Sequence, residues 1–265
     1  MSISELFSLE GEVAMVTGGN GGIGRGMVDG LASAGSDIVI AARDEAKTAE
    51  AVKDIKNKYG VKTLGVKMDV SNETSVQSGI QKAIVEFGKL TILVNNAGVN
   101  IRKMPQDYTV EEWDYIMNIN LRGAFLCSKA VYPSMKANGG KIINTGSMTS
   151  LYGNPMTLVY ACSKMGILSL TYSLALAWVN DQIRVNAILP GWIETPLTKN
   201  ARIAFPGVDT FVRQRVPMGR WGKPSDFAGA AVFLASHASD FITGEYIRVD
   251  GGFAQGPNNP NPYNP

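Results

Sequence analysis

Short apolar runs rich in branched side chains alternate with amphipathic stretches over most of the chain. The pattern predicts strands at 12–16, 37–42, 63–68, 90–94, 141–145, 184–189 and 246–249. Between them it predicts helices at 25–34, 46–59 and 73–87, a long helical stretch at 111–136, and helices at 158–179 and 224–236. In the first helix, Met27, Val28, Leu31 and Ala32 recur at the spacing of one helical face. Strands alternating with helices predict an α/β fold, a doubly wound parallel sheet covered on both faces. No repeat or linker interrupts the pattern, so 1–252 reads as one domain. The remainder, 253–265, ends in GPNNPNPYNP, has no apolar periodicity and reads as an extended or disordered tail.

Ligands of such sheets bind at the carboxyl ends of the strands. The glycine cluster Gly18-Gly19-Asn20-Gly21-Gly22-Ile23-Gly24, Asn95, Ser147 and Pro190 all fall at strand ends. They are therefore expected to converge on one site. Glycines let backbone N–H groups approach a phosphate, and a following helix N-terminus favours its negative charge. A glycine cluster lying after a strand and before a helix is the dinucleotide-binding arrangement. The residue type at the end of the second strand then bears on the cofactor. A carboxylate there accepts ribose hydroxyls, whereas an arginine accommodates a 2′-phosphate. The strand ends in Ala42 and Arg43 comes next. Asp44 is better suited to cap the next helix, so Arg43 points to NADP(H), with NAD(H) still possible.

Ser147, Tyr160 and Lys164 are the candidate chemistry. On a helix, Tyr160 and Lys164 share a face. An ammonium one turn from a phenol is expected to stabilise the phenolate and lower its pKa, suiting the tyrosine to proton transfer. The same pair also occurs in ordinary amphipathic helices, so it gains meaning only from its surroundings.

Composition narrows the rest. The 265 residues are enough for one sizeable core, and 45% of them are hydrophobic. A net charge of +2 creates no field for nucleic acid. No eighteen apolar residues run together, and no basic segment leads into an apolar one at the N-terminus. Two cysteines, Cys127 and Cys162, suit a reduced compartment, and the expected location is cytoplasmic. A single His237 leaves no histidine-based triad and no metal site in prospect.

Taken together, Thr17-Gly18-x-x-x-Gly22-Ile23-Gly24, Asn95-Asn96-Ala97-Gly98, Ser147, Tyr160-x-x-x-Lys164 and Pro190-Gly191 resemble the short-chain dehydrogenase/reductase family. The resemblance runs essentially to Gly252. It implies a single Rossmann domain, hydride transfer between a nicotinamide and a carbonyl or alcohol carbon, and assembly as a homotetramer or homodimer. It implies that Tyr160 is the proton donor or base, that Lys164 lowers its pKa and holds ribose, and that Ser147 bonds the substrate oxygen. Asn120 would hold a water in a proton relay beside the lysine. Gly18, Asn20, Gly22, Ile23, Gly24, Asp69, Val70, Asn95, Ala97, Gly98, Pro190, Gly191, Ile193 and Thr195 would contact the cofactor.

Three segments resemble the family's sugar-acid and polyol branch: 96–102, 147–150 and 217–222. Arg102, with Lys103 beside it, could pair with a carboxylate or remain a loop cation. Residues 192–216 are expected to form a substrate lid carrying Trp192, Leu197, Phe205, Phe211 and Val212. Met148 and Tyr152 join Arg102 and Trp192 as candidate substrate contacts. That apolar mixture equally suits a β-keto ester or another hydrophobic ketone. A noncatalytic dinucleotide sensor has no use for Asn120, Ser147, Tyr160 and Lys164 together.

Overall fold

The computed structural model describes residues 1–204 and 207–255, without the side chains of Leu197, Asn200, Ala201 and Ala204. Phe205 and the 256–265 tail lie outside the described residues, as does the Leu197 side chain.

A short N-terminal helix, α1 (Ile3–Phe7), precedes the strand–helix alternation β1 (Val13–Thr17), α2 (Gly22–Ser33), β2 (Asp37–Ala42), α3 (Glu45–Tyr59), β3 (Thr63–Lys67) and α4 (Glu73–Phe87). Then come β4 (Ile92–Asn95), α5 (Val110–Met117), α6 (Gly123–Asn138), β5 (Gly140–Thr145), α7 (Leu158–Trp178) and β6 (Ile183–Pro190). Two short helices, α8 (Pro196–Ala204) and α9 (Val208–Arg215), precede α10 (Ala228–Ala235) and β7 (Tyr246–Val249). The seven strands are parallel in the order β3-β2-β1-β4-β5-β6-β7. The order reverses between β1 and β4, which opens a crevice at their carboxyl ends.

Alternate residues of each central strand feed opposite faces. Val13, Met15, Val39, Ala41 and Leu93 join one core, whereas Ala14, Val16, Ile38, Ile40 and Ile92 join the other. Because both faces are covered, these strands read as unbroken apolar runs. Burying each such branched side chain contributes roughly 1.5–3 kcal/mol. The helical segment from Leu158 to Asp181 is, among the described residues, the one long and apolar enough to cross a membrane by length and composition. Here it packs on the sheet, burying Val159, Ile167, Leu168 and Ala175.

Three expectations change. The 111–136 stretch is not one α-helix, because residues Asn118–Arg122 form a π turn in which the Gly123 N–H reaches back to the Asn118 carbonyl. The inserted residue turns Asn120 inward, 2% exposed, where it meets Val99. Next, α2 begins at Gly22, inside the glycine cluster rather than after it. Finally, the packed domain extends beyond residue 252. Phe253 is 9% exposed in a third apolar cluster with Trp221, Leu189 and Val216, and the Asp250 carboxylate accepts from the Ala254 N–H.

Close contact between α2 and the turn at Pro224–Phe227 depends on Gly26, where a Cβ would lie 1.8 Å from the Pro224 carbonyl oxygen. Both partners are backbone and cannot step aside. Gly26→Ala is therefore expected to lower stability by roughly 3 kcal/mol or more in urea unfolding. Gly229→Ala, with open space around its Cβ in α10, is expected to raise it by about 0.5–1 kcal/mol. A neutral Gly26→Ala would contradict this packing.

Candidate active site

The crevice is a cleft of about 640 Å³. One end is built by the loop after β1. Gly18 and Gly22 adopt left-handed φ of 66° and 53°, conformations glycine takes without strain. Gly18, Asn20, Gly21, Gly22 and Ile23 line the cleft, and the first N–H groups of α2 open there. Gly24 does not line it. A Cβ at that position would sit 2.5 Å from the Gly18 carbonyl oxygen, so Gly24 lets the helix close on the loop from behind. The Asn20 amide donates to Thr48 Oγ1 at 3.0 Å, tying the loop to α3. Lys47 lines the same end, with its amine 2.7 Å from where a Gly21 Cβ would stand. Lys47 was legible in sequence only as part of a helix start.

The ends of β1 and β4 are stitched together by Thr17. Its Oγ1 accepts from the Asn96 and Ala97 N–H groups, both at 3.0 Å, and the Asn96 amide donates to the Thr17 carbonyl at 2.9 Å. Asn96, Ala97 and Gly98 consequently face the cleft. Asn95 does not line it. Its amide donates to Ser128 Oγ and to Asn144 Oδ1, and Asn144 donates in turn to Thr171. Side chains alternate across a strand, and the residue one place on is the one that faces the crevice.

Beyond β2, the Asp44 carboxylate accepts from the Lys47 N–H at 3.0 Å and caps α3. Arg43 is exposed and has no hydrogen-bond or ion-pair partner among the described residues. Asp69 and Val70 come after β3, outside the cleft lining. The Asp69 carboxylate accepts from the Ser71 hydroxyl at 2.7 Å, which holds its pKa down, with Arg43 adding to the effect.

Four elements bring the candidate chemistry together. Beyond β5, Ser147 takes an extended backbone, and its hydroxyl accepts from the Thr149 N–H and hydroxyl. Ser150 ties this loop to α7 by donating to the Lys164 carbonyl at 2.6 Å. On α7, Tyr160 and Lys164 share the cleft-facing side. Lys164 is 4% exposed and donates from Nζ to the Thr145 carbonyl at 2.7 Å. Its amine lies 5.6 Å from the centre of the Tyr160 ring. Asn120 stands behind the cleft, not in its lining. Its Oδ1 accepts from the Val99 N–H at 2.8 Å, and its Nδ2 donates to the Val99 carbonyl at 2.9 Å and to Ser163 Oγ at 3.1 Å. With the side chain so occupied, Asn120 fixes the loop after β4.

Electrostatics also depart from expectation. Burial raises the Tyr160 pKa above its usual value, while the Ser147 hydroxyl and then the Arg102 charge oppose the rise. One N–H of the Lys164 ammonium is taken by the Thr145 carbonyl. Burial depresses Lys164 to about 8.

Pro190, Gly191, Ile193 and Thr195 line the cleft beyond β6, and Thr195 faces Gly22 across it. All four candidate substrate residues line the far end: Arg102, Met148, Tyr152 and Trp192. Trp192 meets Phe211, Trp221 and Phe253 edge-on with ring centres 5.6–6.4 Å apart. The site residues Asn100, Asn154, Thr157 and Phe253 were not foreseen. Among the described residues no cluster of three or more acidic, histidine or cysteine side chains could hold a metal ion.

A cradle of left-handed glycines beside a helix N-terminus, opposite a tyrosine–lysine pair, defines a dinucleotide-dependent oxidoreductase site. The chain belongs to the short-chain dehydrogenase/reductase family. A family model described as Enoyl-(Acyl carrier protein) reductase matches residues 18–254. The chain is 41% identical over 254 residues to 2-dehydro-3-deoxy-D-gluconate 5-dehydrogenase of Escherichia coli (strain K12), covering 95% of this chain and 98% of that one. It is 34% identical to a 3-oxoacyl-[acyl-carrier-protein] reductase of Aquifex aeolicus (strain VF5), covering 92% and 98%. Its fold is similar, at a TM-score of 0.92 and 35% identity, to a gluconate 5-dehydrogenase from Burkholderia cenocepacia J2315 in complex with NADP and tartrate, covering 97% of this chain and 100% of that one. The cofactor is accordingly a nicotinamide dinucleotide.

Lys164 yields a stability test. Its folded pKa of about 8 lies below the ordinary 10.5, so the native state binds fewer protons than the unfolded state between those values. The penalty for holding the ammonium is full below about pH 8 and is relieved as pH rises towards 10.5. Lys164→Met is thus expected to be the more stable protein at pH 7, by roughly 1–3 kcal/mol. That advantage should shrink through the alkaline window when urea unfolding is repeated at each pH. A constant difference from pH 7 to 10.5 would contradict the burial of this charge.

Proposed function

We propose that the protein interconverts a secondary alcohol and a ketone on a sugar acid, with NADP(H) as the preferred dinucleotide. Arg102 carries this reading. It lines the cleft and acts on Tyr160 electrostatically, yet no carboxylate holds it among the described residues. Its neighbour Lys103 is committed to Glu112 at 2.5 Å. A free guanidinium beside the reacting centre suits bidentate pairing with a substrate carboxylate. The names of the sugar-acid relatives support the same substrate class.

The cleft residues fit the cofactor. Gly18, Gly22 and the first N–H groups of α2 would hold the pyrophosphate, Arg43 a 2′-phosphate, and Pro190, Gly191, Ile193 and Thr195 the nicotinamide end. When bound, the dinucleotide supplies or accepts the hydride. Ser147 holds the substrate oxygen. Tyr160 donates its phenolic proton to that oxygen as the carbonyl is reduced, and takes a proton from the hydroxyl when the alcohol is oxidised. Lys164 steadies charge on the phenol oxygen, and Arg102 adds to that stabilisation while orienting the acid. The reduction consumes one proton, which Tyr160 recovers from solvent, so atoms and charges balance. Exposed Phe125, Met165, Tyr172 and Leu176 on α6 and α7 support assembly as a homotetramer or homodimer.

A second reading draws on the aromatic side of the cleft. Trp192, Phe211 and Phe253 would suit a β-keto ester or hydrophobic ketone. Reduction of 5-dehydro-D-gluconate, a cyclic ketone and an acetoacetyl thioester by NADPH separates the two. The sugar acid is expected to be preferred. Arg102→Leu should raise its KM by about 10- to 100-fold while leaving the uncharged ketones within about threefold. Preference for the thioester with an indifferent Arg102→Leu would favour the second reading.

Cofactor choice is checked separately. Arg43→Ala should weaken NADPH binding by roughly 10- to 100-fold in fluorescence titration and NADH binding by less than about threefold. Equal losses would remove the role given to Arg43.

A further inference from the structure

Thr157 sits at the N-cap of α7, where a threonine hydroxyl ordinarily accepts a bond from the first turn. Here it makes no cap bond. Its backbone φ of −141° and ψ of 42° leave the cap unformed. The residue is 6% exposed, lines the cleft, and its Oγ1 has no hydrogen-bond partner. Asn100, on the loop after β4, also lines the cleft, and its buried Oδ1 is likewise without a partner. The two loops are zipped together. The Lys103 N–H donates to the Met156 carbonyl at 3.1 Å, and Lys103 and Thr157 form a parallel bridge. The cap threonine and Asn100 therefore belong to one wall of the cleft, which also carries Arg102 and Asn154.

Leaving two buried polar atoms unpaired opposes folding, so the arrangement makes sense where something else satisfies them. The chemistry of the atoms says what. An amide oxygen only accepts, so a carboxylate cannot pair with it. A hydroxyl group donates and accepts, so it can satisfy both the Asn100 oxygen and the Thr157 hydroxyl. An apolar ketone would leave both unpaired at full desolvation cost. We propose that Thr157 and Asn100 form a neutral subsite that binds the hydroxyl groups of the substrate chain, separate from the carboxylate contact of Arg102, and so select polyhydroxylated acids over deoxygenated ones. This rests on the sugar-acid reading above and specifies which part of the cleft recognises which part of the substrate.

Two ketones of equal length provide the test. 5-Dehydro-D-gluconate carries the carboxylate, the ketone and several hydroxyls, whereas 5-oxohexanoate carries only the carboxylate and the ketone. Steady-state NADPH oxidation is measured with both, on wild type, Thr157→Val and Thr157→Ser. Thr157→Val is expected to lose about 5- to 20-fold in kcat/KM for the hydroxylated acid, chiefly through KM, and less than twofold for 5-oxohexanoate. Thr157→Ser should restore the hydroxylated acid to within about threefold of wild type. Because the hydroxyl makes no bond in the free protein, Thr157→Val should melt no lower than wild type, and up to about 4 °C higher. Equal losses on the two ketones, or a lowered Tm that serine does not rescue, would make Thr157 a structural residue and overturn the subsite alone. If the wild type reduces neither acid, the sugar-acid reading itself fails, and the subsite fails with it.

Discussion

A buried ammonium organises the centre of this protein. Lys164 is almost wholly removed from water and donates to the Thr145 carbonyl at the end of β5. An ammonium in such a place, with no carboxylate paired to it among the described residues, is costly, and its neighbours are arranged around that cost. The Lys164 carbonyl is gripped by Ser150, so the helix turn bearing the amine is locked to the serine loop. A Cβ at Gly98 would stand in ordinary contact with both the amine, at 3.7 Å, and Asn120 Oδ1, at 3.4 Å. The charge, the π turn and the loop after β4 are thus a single packing problem. A substitution that eased the charge would favour the fold and remove its use, which is the usual tension at a working site.

The topology explains why so few contacts suffice. Parallel strands send every carboxyl end to one edge of the sheet, and reversal of strand order between β1 and β4 leaves a crevice there. Thr17 closes the base of that crevice by holding the two backbone N–H groups after β4. Asn96 completes the stitch from the other side. The glycine loop and the NNAG segment therefore form one rigid floor. A short threonine side chain does this because the strand ends are already held close by the ladder below.

The fold was legible because strands buried on both faces read as unbroken apolar runs, and helices between them carry an apolar stripe. Glu73–Phe87 and Tyr246–Val249 match their expected limits. The π turn was not legible. Asn118–Arg122 keeps near-helical dihedrals and an apolar rhythm, and only the position of Val99 shows why a residue is inserted. Asn95 illustrates a second limit: a motif marks a strand end but not which of two adjacent asparagines lines the cleft. Lys47, Thr157 and Phe253 reach the cleft through packing between elements distant in sequence, so no local pattern announces them. The tyrosine–lysine spacing did announce itself, yet spacing could not reveal that the ammonium donates to a strand-end carbonyl.

The far end of the cleft combines three surfaces rarely useful together. Trp192, Phe211 and Phe253 offer aromatic edges and faces, Arg102 offers a free cation, and Thr157 and Asn100 offer neutral polar atoms. A purely apolar ketone would use the first and strand the other two. A simple small acid would use the second and leave the aromatic side wet. The C–H faces of a sugar chain can lie on aromatic rings while its hydroxyls point to polar atoms and its carboxylate to the arginine. A molecule with apolar faces, hydroxylated edges and one charged end would match these three kinds of surface.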